Sequence, residues 1–286
     1  MSTPGPEAGG EPVVAMIAGG GSYPADLARI LARRGQRLFI AAVDGAADPS
    51  SFEAGEVVTY RLGQLGRVIE EMRKRSIVDI VLLGGLPRPS FGALRPEVST
   101  LKYLPYFAKA FQGGDDHLLS AVVRFFEGQG FRVLGPHDIA PELTAPAGPL
   151  GQRAANPEQR ELIERGFSLL SALSPFDVGQ AAILADHRVI AIEAAEGTDA
   201  TIRRVGELCR AGRLKIGKGD GVLVKAPKDS QDLRVDMPAI GPDTLRHVAE
   251  AGLSGIAVRA GRVLVGDRQR LGRLADELGL FVEGVA

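Results

Sequence analysis

Val13-Val-Ala-Met-Ile-Ala-Gly19-Gly-Gly-Ser-Tyr-Pro24-Ala-Asp-Leu-Ala-Arg-Ile-Leu-Ala-Arg-Arg34-Gly35 is the stretch on which the fold turns. Val13 to Ala18 is a short, unbroken apolar run, as in a strand buried on both faces. Gly19-Gly20-Gly21 breaks it. Pro24 suits the first turn of a helix, the apolar residues after it recur at helical spacing, and Gly35 ends the element. Leu38 to Val43 is the next buried strand. Outward from this unit, Leu65 to Arg75 is expected to be helical and Val78 to Leu83 a buried strand. Gly84-Gly85-Leu86-Pro87-Arg88-Pro89-Ser90 breaks sharply from that strand. Helices are expected at about 101–110 and 116–129, and Phe131 to Leu134 closes the unit. Strand–helix alternation of this kind implies an α/β fold with a mostly parallel sheet covered on both faces. Ligands sit beyond the C-terminal ends of such strands, where the Gly19–Tyr23 and Gly84–Ser90 loops fall.

Around Thr144-Ala-Pro146-Ala-Gly148-Pro149-Leu-Gly151 the composition shifts to proline and glycine. The expected division is therefore a flexible tail at 1–12, a first domain at 13–143, a linker or hinge at 144–156 and a second α/β domain at 157–286. In the second domain Asn156 is placed to cap a helix from Pro157 to Leu173. Ala181–Ala185 and Val189–Glu193 flank a short turn at Asp186-His187, an expected hairpin. A helix carrying Cys209 follows, then the strand Val222–Val224. Asp243 is expected to cap a helix at 244–251, and Ile256–Val258 with Val263–Val265 is expected to form a second hairpin. A last helix at about 268–277 and a strand at Phe281–Glu283 complete the chain.

The 286 residues are 45% hydrophobic, enough for a substantial core, and the formal net charge is -1. That balance gives no general attraction to nucleic acid. The single cysteine, Cys209, excludes an intramolecular disulfide and a cysteine zinc site, and a chain of this kind fits a reducing cytoplasm. No apolar run is long enough to span a bilayer, and residues 1–12 lack the basic and apolar regions of a signal peptide. Any contact with a membrane is expected to be peripheral.

Several side-chain groups invite a chemical reading. Gly19, Gly20 and Gly21, followed by Ser22 and Tyr23, form a candidate phosphate cradle at a helix N-terminus. The run matches neither G-x-G-x-x-G nor a P-loop, which weighs against a dinucleotide dehydrogenase. A tight turn with no ligand is an equal reading. Asp115 and Asp116 sit at an expected helix start, where capping is the leading alternative to catalysis. Asp199 and Glu196 are likewise explained as capping residues, whereas Glu193 closes an apolar strand and suits a ligand or metal contact. Four scattered histidines and the absence of a G-x-S-x-G elbow argue against a zinc enzyme and an ordinary serine hydrolase.

Lys225-Ala-Pro-Lys228-Asp229-Ser-Gln231-Asp232-Leu-Arg234-Val-Asp236-Met-Pro238-Ala-Ile-Gly241 is the richest segment. From Gln231 its polarity alternates, so a strand here would present Asp232, Arg234 and Asp236 on one face. On a straight strand the two aspartates would be about 13 Å apart, too far to share one ion. A salt-bridged polar face is the plainer alternative. Lys225, Lys228 and Arg234 are suited to phosphate oxygens, and a carboxylate site favours a hard ion such as Mg²⁺.

Seven short motifs carry a family likeness. They are I-A-G-G-G at Ile17–Gly21, G-Q-L-G at Gly63–Gly66, G-G-L-P-R-P at Gly84–Pro89, G-D-D at Gly114–Asp116, D-V-G-Q at Asp177–Gln180, A-I-E-A-A-E-G-T-D at Ala191–Asp199, and the Lys225–Gly241 segment. In this order they make the chain resemble the UDP-2,3-diacylglucosamine pyrophosphatases of the lipid A pathway, the two-domain type unrelated to metallophosphoesterases. The likeness runs from about Val14 to the end. It implies a cytoplasmic, Mg²⁺-dependent hydrolase that forms homodimers and takes an acylated UDP-sugar. Its N-terminal domain would be Rossmann-like and its C-terminal domain catalytic, with ligand held between them. Any contact with the inner membrane would be at its cytoplasmic face. Asp236 best matches the family's catalytic aspartate and is the expected metal ligand, with Asp232 its competitor and Arg234 and Lys225 as further catalytic candidates. Substrate contacts are expected from Gly19, Gly20, Gly21, Ser22, Tyr23, Gly85, Arg88, Asp115, Asp116, Gln180, Glu193, Thr198, Asp199, Lys228 and Gln231. Asp229-Ser230 departs from the family pattern, where proline or glycine is more familiar, and this leaves the conformation of that loop open.

Overall fold

Strand β1 (Val14–Ala18) is buried along almost its whole length and pairs in parallel with both β2 (Leu38–Val43) and β4 (Asp79–Leu83). The structure is a computed structural model. It describes residues 12–86, 96–110, 115–217 and 220–286, and their side chains except those of 108–110 and 115–117. The chain divides into two compact units, residues 1–140 and 141–286.

The first unit has a five-stranded, all-parallel sheet in the order β3-β2-β1-β4-β5, with β3 at Glu56–Tyr60 and β5 at Arg132–Leu134. Helices α1 (Tyr23–Arg33) and α2 (Leu65–Lys74) each bury one apolar stripe: Leu27, Ala28 and Leu31 on α1, and Val68, Ile69 and Met72 on α2. Pro24 lies in the first turn of α1, as expected. Short helices α3 (Val98–Leu101) and α4 (Leu104–Ala110) precede α5 (Asp115–Gly128), and α6 (Pro136–Ile139) ends the unit. Tyr103, Phe125, Phe126 and Phe131 pack edge to face around α5. Strand β3 was not expected from the sequence. It is an edge strand whose Glu-Val-Val-Thr run is exposed or half-buried, so it lacks the apolar run of its neighbours.

The second unit has a mixed sheet in the order β6-β11-β10-β9-β7-β8. Its strands are β6 (Gly148–Pro149), β7 (Ala181–Ala185), β8 (Arg188–Ile192), β9 (Val222–Lys225), β10 (Gly255–Arg259) and β11 (Phe281–Val285). Period-two alternation divides the core. Ala182, Leu184, Val222 and Val224 meet α7 (Pro157–Leu173) on one face. Ile183, Leu223, Ile256 and Val258 meet α8 (Thr198–Arg210), α9 (Pro242–Glu250) and α10 (Arg268–Leu278) on the other. Gly166 lets α7 approach closely, since a Cβ there would lie 2.7 Å from Val224 Cγ2. Asn156 caps α7 in a capping box with Gln159. The β7–β8 turn forms at Asp186-His187, both at positive φ, the geometry that suits a two-residue hairpin. Cys209 is half-buried in α8.

Four expectations change. Ile256–Val258 and Val263–Val265 do not make a hairpin: β10 runs parallel between β9 and β11, and both its edges are taken. Val263–Val265 instead meets its neighbours through isolated bridges from Leu264 to Thr144 and Ala239. The segment 144–156, expected to be a linker, is fastened to the second sheet by β6, by Leu150 N to Val282 O at 2.8 Å and by Ala155 N to Glu283 Oε2 at 3.0 Å. Gly241, not Asp243, is the N-cap of α9, because Pro242 occupies the first helical position it favours. Residues 231–237 are not a strand, for a reason that belongs to the site. Among the described residues no helix is long and apolar enough to cross a membrane.

Candidate active site

β9 delivers Lys225 as its last residue, with Ala181 and Val258 as register partners. Side chains alternate along a strand, so Lys225 shares the face of Leu223, towards α8 and α9. It is only 7% exposed, and its Nζ donates to Thr198 Oγ1 at 2.7 Å. Burial pushes its pKa below the ordinary lysine value, while Glu193, Asp199 and Asp236 pull the other way. Thr198 starts α8 and donates to Glu193 Oε1 at 3.0 Å. Glu193, one residue past β8, also accepts from Gln180 N through Oε2 at 3.3 Å. Gly179 permits that approach, since a Cβ there would lie 2.2 Å from Glu193 O. Gln180 is thus engaged through its backbone, its carbonyl accepting from Ala226 N at 2.9 Å. Asp199 accepts from Thr244 Oγ1 of α9 at 3.2 Å, with His247 Nδ1 at 3.6 Å.

Beyond β9 the chain folds into turns. Asp232 O accepts from the backbone N–H of Val235 and Asp236, at 3.2 and 3.0 Å, and Asp232 Oδ1 accepts from Arg234 N at 3.1 Å. An aspartate that bonds its own downstream backbone competes with a strand ladder, and here it wins. The alternation of Gln231 to Met237 is therefore not strand periodicity, and the straight-strand spacing between Asp232 and Asp236 does not apply. Asp232 also grips Arg234 in a fork, Oδ1 to Nε at 2.9 Å and Oδ2 to Nη2 at 2.7 Å. Gln231, 9% exposed, ties the turn together: its Oε1 accepts from Lys228 N at 2.9 Å and its Nε2 donates to Asp236 Oδ2.

The loop is docked from a distance. Lys228 pairs with Asp177, which sits in the left-handed region at φ 53°. Asp229 N donates to Ser174 Oγ at 2.8 Å and Asp229 Oδ2 accepts from Ser171 Oγ at 2.9 Å, so this departure from the family pattern has a structural use. Sequence reasoning did not single out Ser171, Ser174 or the Asp177 carboxylate. Their partners lie more than fifty residues away, and only the D-V-G-Q motif pointed to Asp177. Among the described residues, no group of three or more His, Cys, Asp or Glu is arranged to share a metal ion.

In the first unit, Gly19–Tyr23 and Gly84–Gly85 leave the C-terminal ends of β1 and β4, where the strand order reverses. The two loops are tied to each other: Gly20 N donates to Gly85 O at 2.8 Å and Gly85 N to Gly20 O at 2.9 Å. A Cβ on Gly19 would lie 2.6 Å from Gly85 O, whereas one on Gly21, at φ 94°, would meet nothing within 4 Å. Ser22 precedes α1 without a side-chain cap bond, and burial pushes the Tyr23 phenol well above its usual pKa. Arg88 lies outside the described residues, as do the side chains of Asp115 and Asp116. A cleft of about 500 Å³ opens at the opposite, N-terminal ends of β2 and β3, where Arg75 is already paired with Glu56 and Glu71.

Comparison with known proteins places both units. The LpxI N-terminal domain family matches residues 13–143, and the LpxI C-terminal domain family matches residues 146–283. A Caulobacter vibrioides protein named UDP-2,3-diacylglucosamine pyrophosphatase LpxI is 39% identical over 270 residues, which cover 94% of this chain and 96% of the relative. Among solved structures, UDP-glucose 4-epimerase from Brucella ovis in complex with NAD covers 89% of this chain and 77% of its own, at a TM-score of 0.28 and 16% identity. At that score the likeness carries no argument.

Proposed function

This chain belongs to the LpxI family, and we propose that it hydrolyses the pyrophosphate of UDP-2,3-diacylglucosamine to UMP and 2,3-diacylglucosamine 1-phosphate (lipid X), a step of lipid A biosynthesis. The observation that carries the reading is the turn after β9. There a buried lysine, a forked arginine and an aspartate held by Gln231 are gathered within twelve residues of chain. Pyrophosphate hydrolysis needs charge neutralisation and a positioned water more than covalent chemistry. Lys225, Lys228 and Arg234 supply positive charge for phosphate oxygens. Asp232 is committed at both oxygens to Arg234 and so aims the guanidinium. Asp236, held by Gln231, is the carboxylate we assign to the attacking water or to Mg²⁺.

Mg²⁺ is commonly held by one or two carboxylates together with substrate phosphates and water, so an all-protein cage is not required, and Asp236 fits that mode. When bound, the ion would neutralise charge on the pyrophosphate oxygens. Gly19, Gly20, Gly21, Ser22, Tyr23 and Gly85, at the switch point of the first sheet, are candidates for holding part of the ligand on that unit. Gln180, Asp199, Lys228 and Gln231 are candidates on the second. A homodimer at the cytoplasmic face of the inner membrane completes the reading, by family likeness alone.

The test is UMP release from UDP-2,3-diacylglucosamine without any acceptor, with and without Mg²⁺, in wild type and Asp236→Ala. Metal-dependent release lost in a folded Asp236→Ala protein is expected. Release only with an added acceptor would make the protein a transferase. Binding without turnover under any metal would make it a binding protein.

A further inference from the structure

Thr198 Oγ1 is the one hydrogen-bond acceptor of Lys225 among the described residues. An ammonium has three donors, so two are left without an acceptor among the described residues, in a site only 7% exposed. Keeping a charge there is costly unless something else accepts from it. A ligand oxygen is the chemical complement of those two donors.

The acceptor itself is fixed. A threonine hydroxyl has one proton, a carboxylate can only accept and an ammonium can only donate. The Thr198 proton therefore goes to Glu193 Oε1, and a lone pair receives Lys225. Glu193 is immobilised in turn by Gln180 N on its second oxygen and by its own backbone bond to Ala181 O at 2.9 Å. The row from Gln180 through Glu193 and Thr198 to Lys225 has one direction of donation at each link. Its members come from the residue before β7, the residue after β8, the start of α8 and the end of β9.

We propose that Thr198 and Glu193 are positioning residues that aim the Lys225 ammonium so that its two remaining donors receive phosphoryl oxygens of the diphosphate substrate. The inference rests on the hydrolase reading and deepens it: both residues act through Lys225 and not by touching substrate. The charged groups that face Lys225 are Glu193 after β8, Asp199 in α8 and Asp236 in the turn after β9. All three favour its charged form against the larger effect of burial. A bound diphosphate would add to their side of that balance.

The experiment uses the full chain and two readouts. In steady-state UMP release, Thr198→Val should lower kcat about 10- to 100-fold with KM changed far less, as a misaimed group does. Thr198→Ser keeps the hydroxyl and should restore kcat to within about threefold of wild type. A Thr198→Val protein within about twofold of wild type would overturn the proposal, as would a folded Thr198→Ser protein as impaired as Thr198→Val. The second readout is NMR of the Lys225 side chain, assigned by its loss in Lys225→Met, with inorganic pyrophosphate as probe. The signal should move on adding pyrophosphate to wild type and move much less in Thr198→Val. An unmoved signal in wild type, or equal movement in both, overturns the proposal. If wild type releases no UMP, the hydrolase reading falls, and the pyrophosphate titration still decides whether Thr198 aims Lys225 at a phosphate.

Discussion

Two parts of this chain look from sequence like places for a phosphate, and the structure treats them differently. The glycine loops of the first unit owe Gly19 to backbone packing: the loops after β1 and β4 lie so close that Gly20 and Gly85 exchange hydrogen bonds. The turn after β9 in the second unit has no such explanation in packing. Lys225 is buried, and among the described residues the one hydrogen bond of its ammonium is to a hydroxyl. Packing of that kind would be served as well by an apolar side chain of similar volume. A glycine identifies a backbone constraint, whereas a buried charge with unused donors identifies a chemical one.

Four predictions would break or sharpen that contrast. Asp236→Ala should reduce UMP release about 10³-fold in a folded protein, measured in the acceptor-free assay. A smaller loss would move the essential acid to Asp232 or away from this turn.

Lys225→Met should cost about 10²-fold in turnover, as for loss of one charge-stabilising donor, while leaving thermal stability unchanged or raised. Its pH dependence follows from the sign of the shift. The folded-state pKa is depressed below the ordinary 10.5, so between the two values the unfolded chain binds more protons and stability rises with pH. Denaturation of wild type across that window should show the rise, and Lys225→Met should lack this contribution. A destabilised Lys225→Met protein would make the lysine a structural group and remove the contrast.

Gly19→Ala should destabilise the first unit by about 2 kcal/mol through overpacking against Gly85 O and Gly84. Gly21→Ala meets no neighbour and should cost only the strain of its positive φ, about 1 kcal/mol. If this loop holds ligand, Gly21→Ala should also raise KM. Chemical denaturation and a substrate titration read the two effects separately, and an unchanged KM would leave the loop as scaffold alone. Asn156→Ala, at the N-cap of α7, should cost about 1 kcal/mol with turnover unaltered. It calibrates how the assay responds to lost stability in the second unit.

The elements that were legible in the sequence are those with strong local signals. α1 announced itself through Pro24 and helical spacing, α7 through Asn156, and β1, β2 and β4 through unbroken apolar runs. β3 was missed because an edge strand needs only half its side chains buried. The second hairpin was misread because Val263–Val265 has a strand's composition, but the edges of β10 are already filled by β9 and β11. At the site, Lys225, Gln231, Asp232, Arg234 and Asp236 were all legible as residues, but their geometry was not. The alternation of Gln231 to Met237 imitated a strand until Asp232 bonded its own backbone.

By itself, the sequence determined the α/β class, the buried strands and the main helices of the first unit apart from its edge strand β3, the family, and the short list of charged residues suited to a pyrophosphate. Each of these depends on local pattern or on motif order, which the linear chain carries. Only the tertiary structure decided that Lys225 is buried against Thr198, that Asp177 and Ser174 dock the loop after β9, and that 144–156 belongs to the second unit. Those facts depend on contacts between residues tens of positions apart, and on which of several competing partners a backbone or side-chain group finds once the sheet edges are filled.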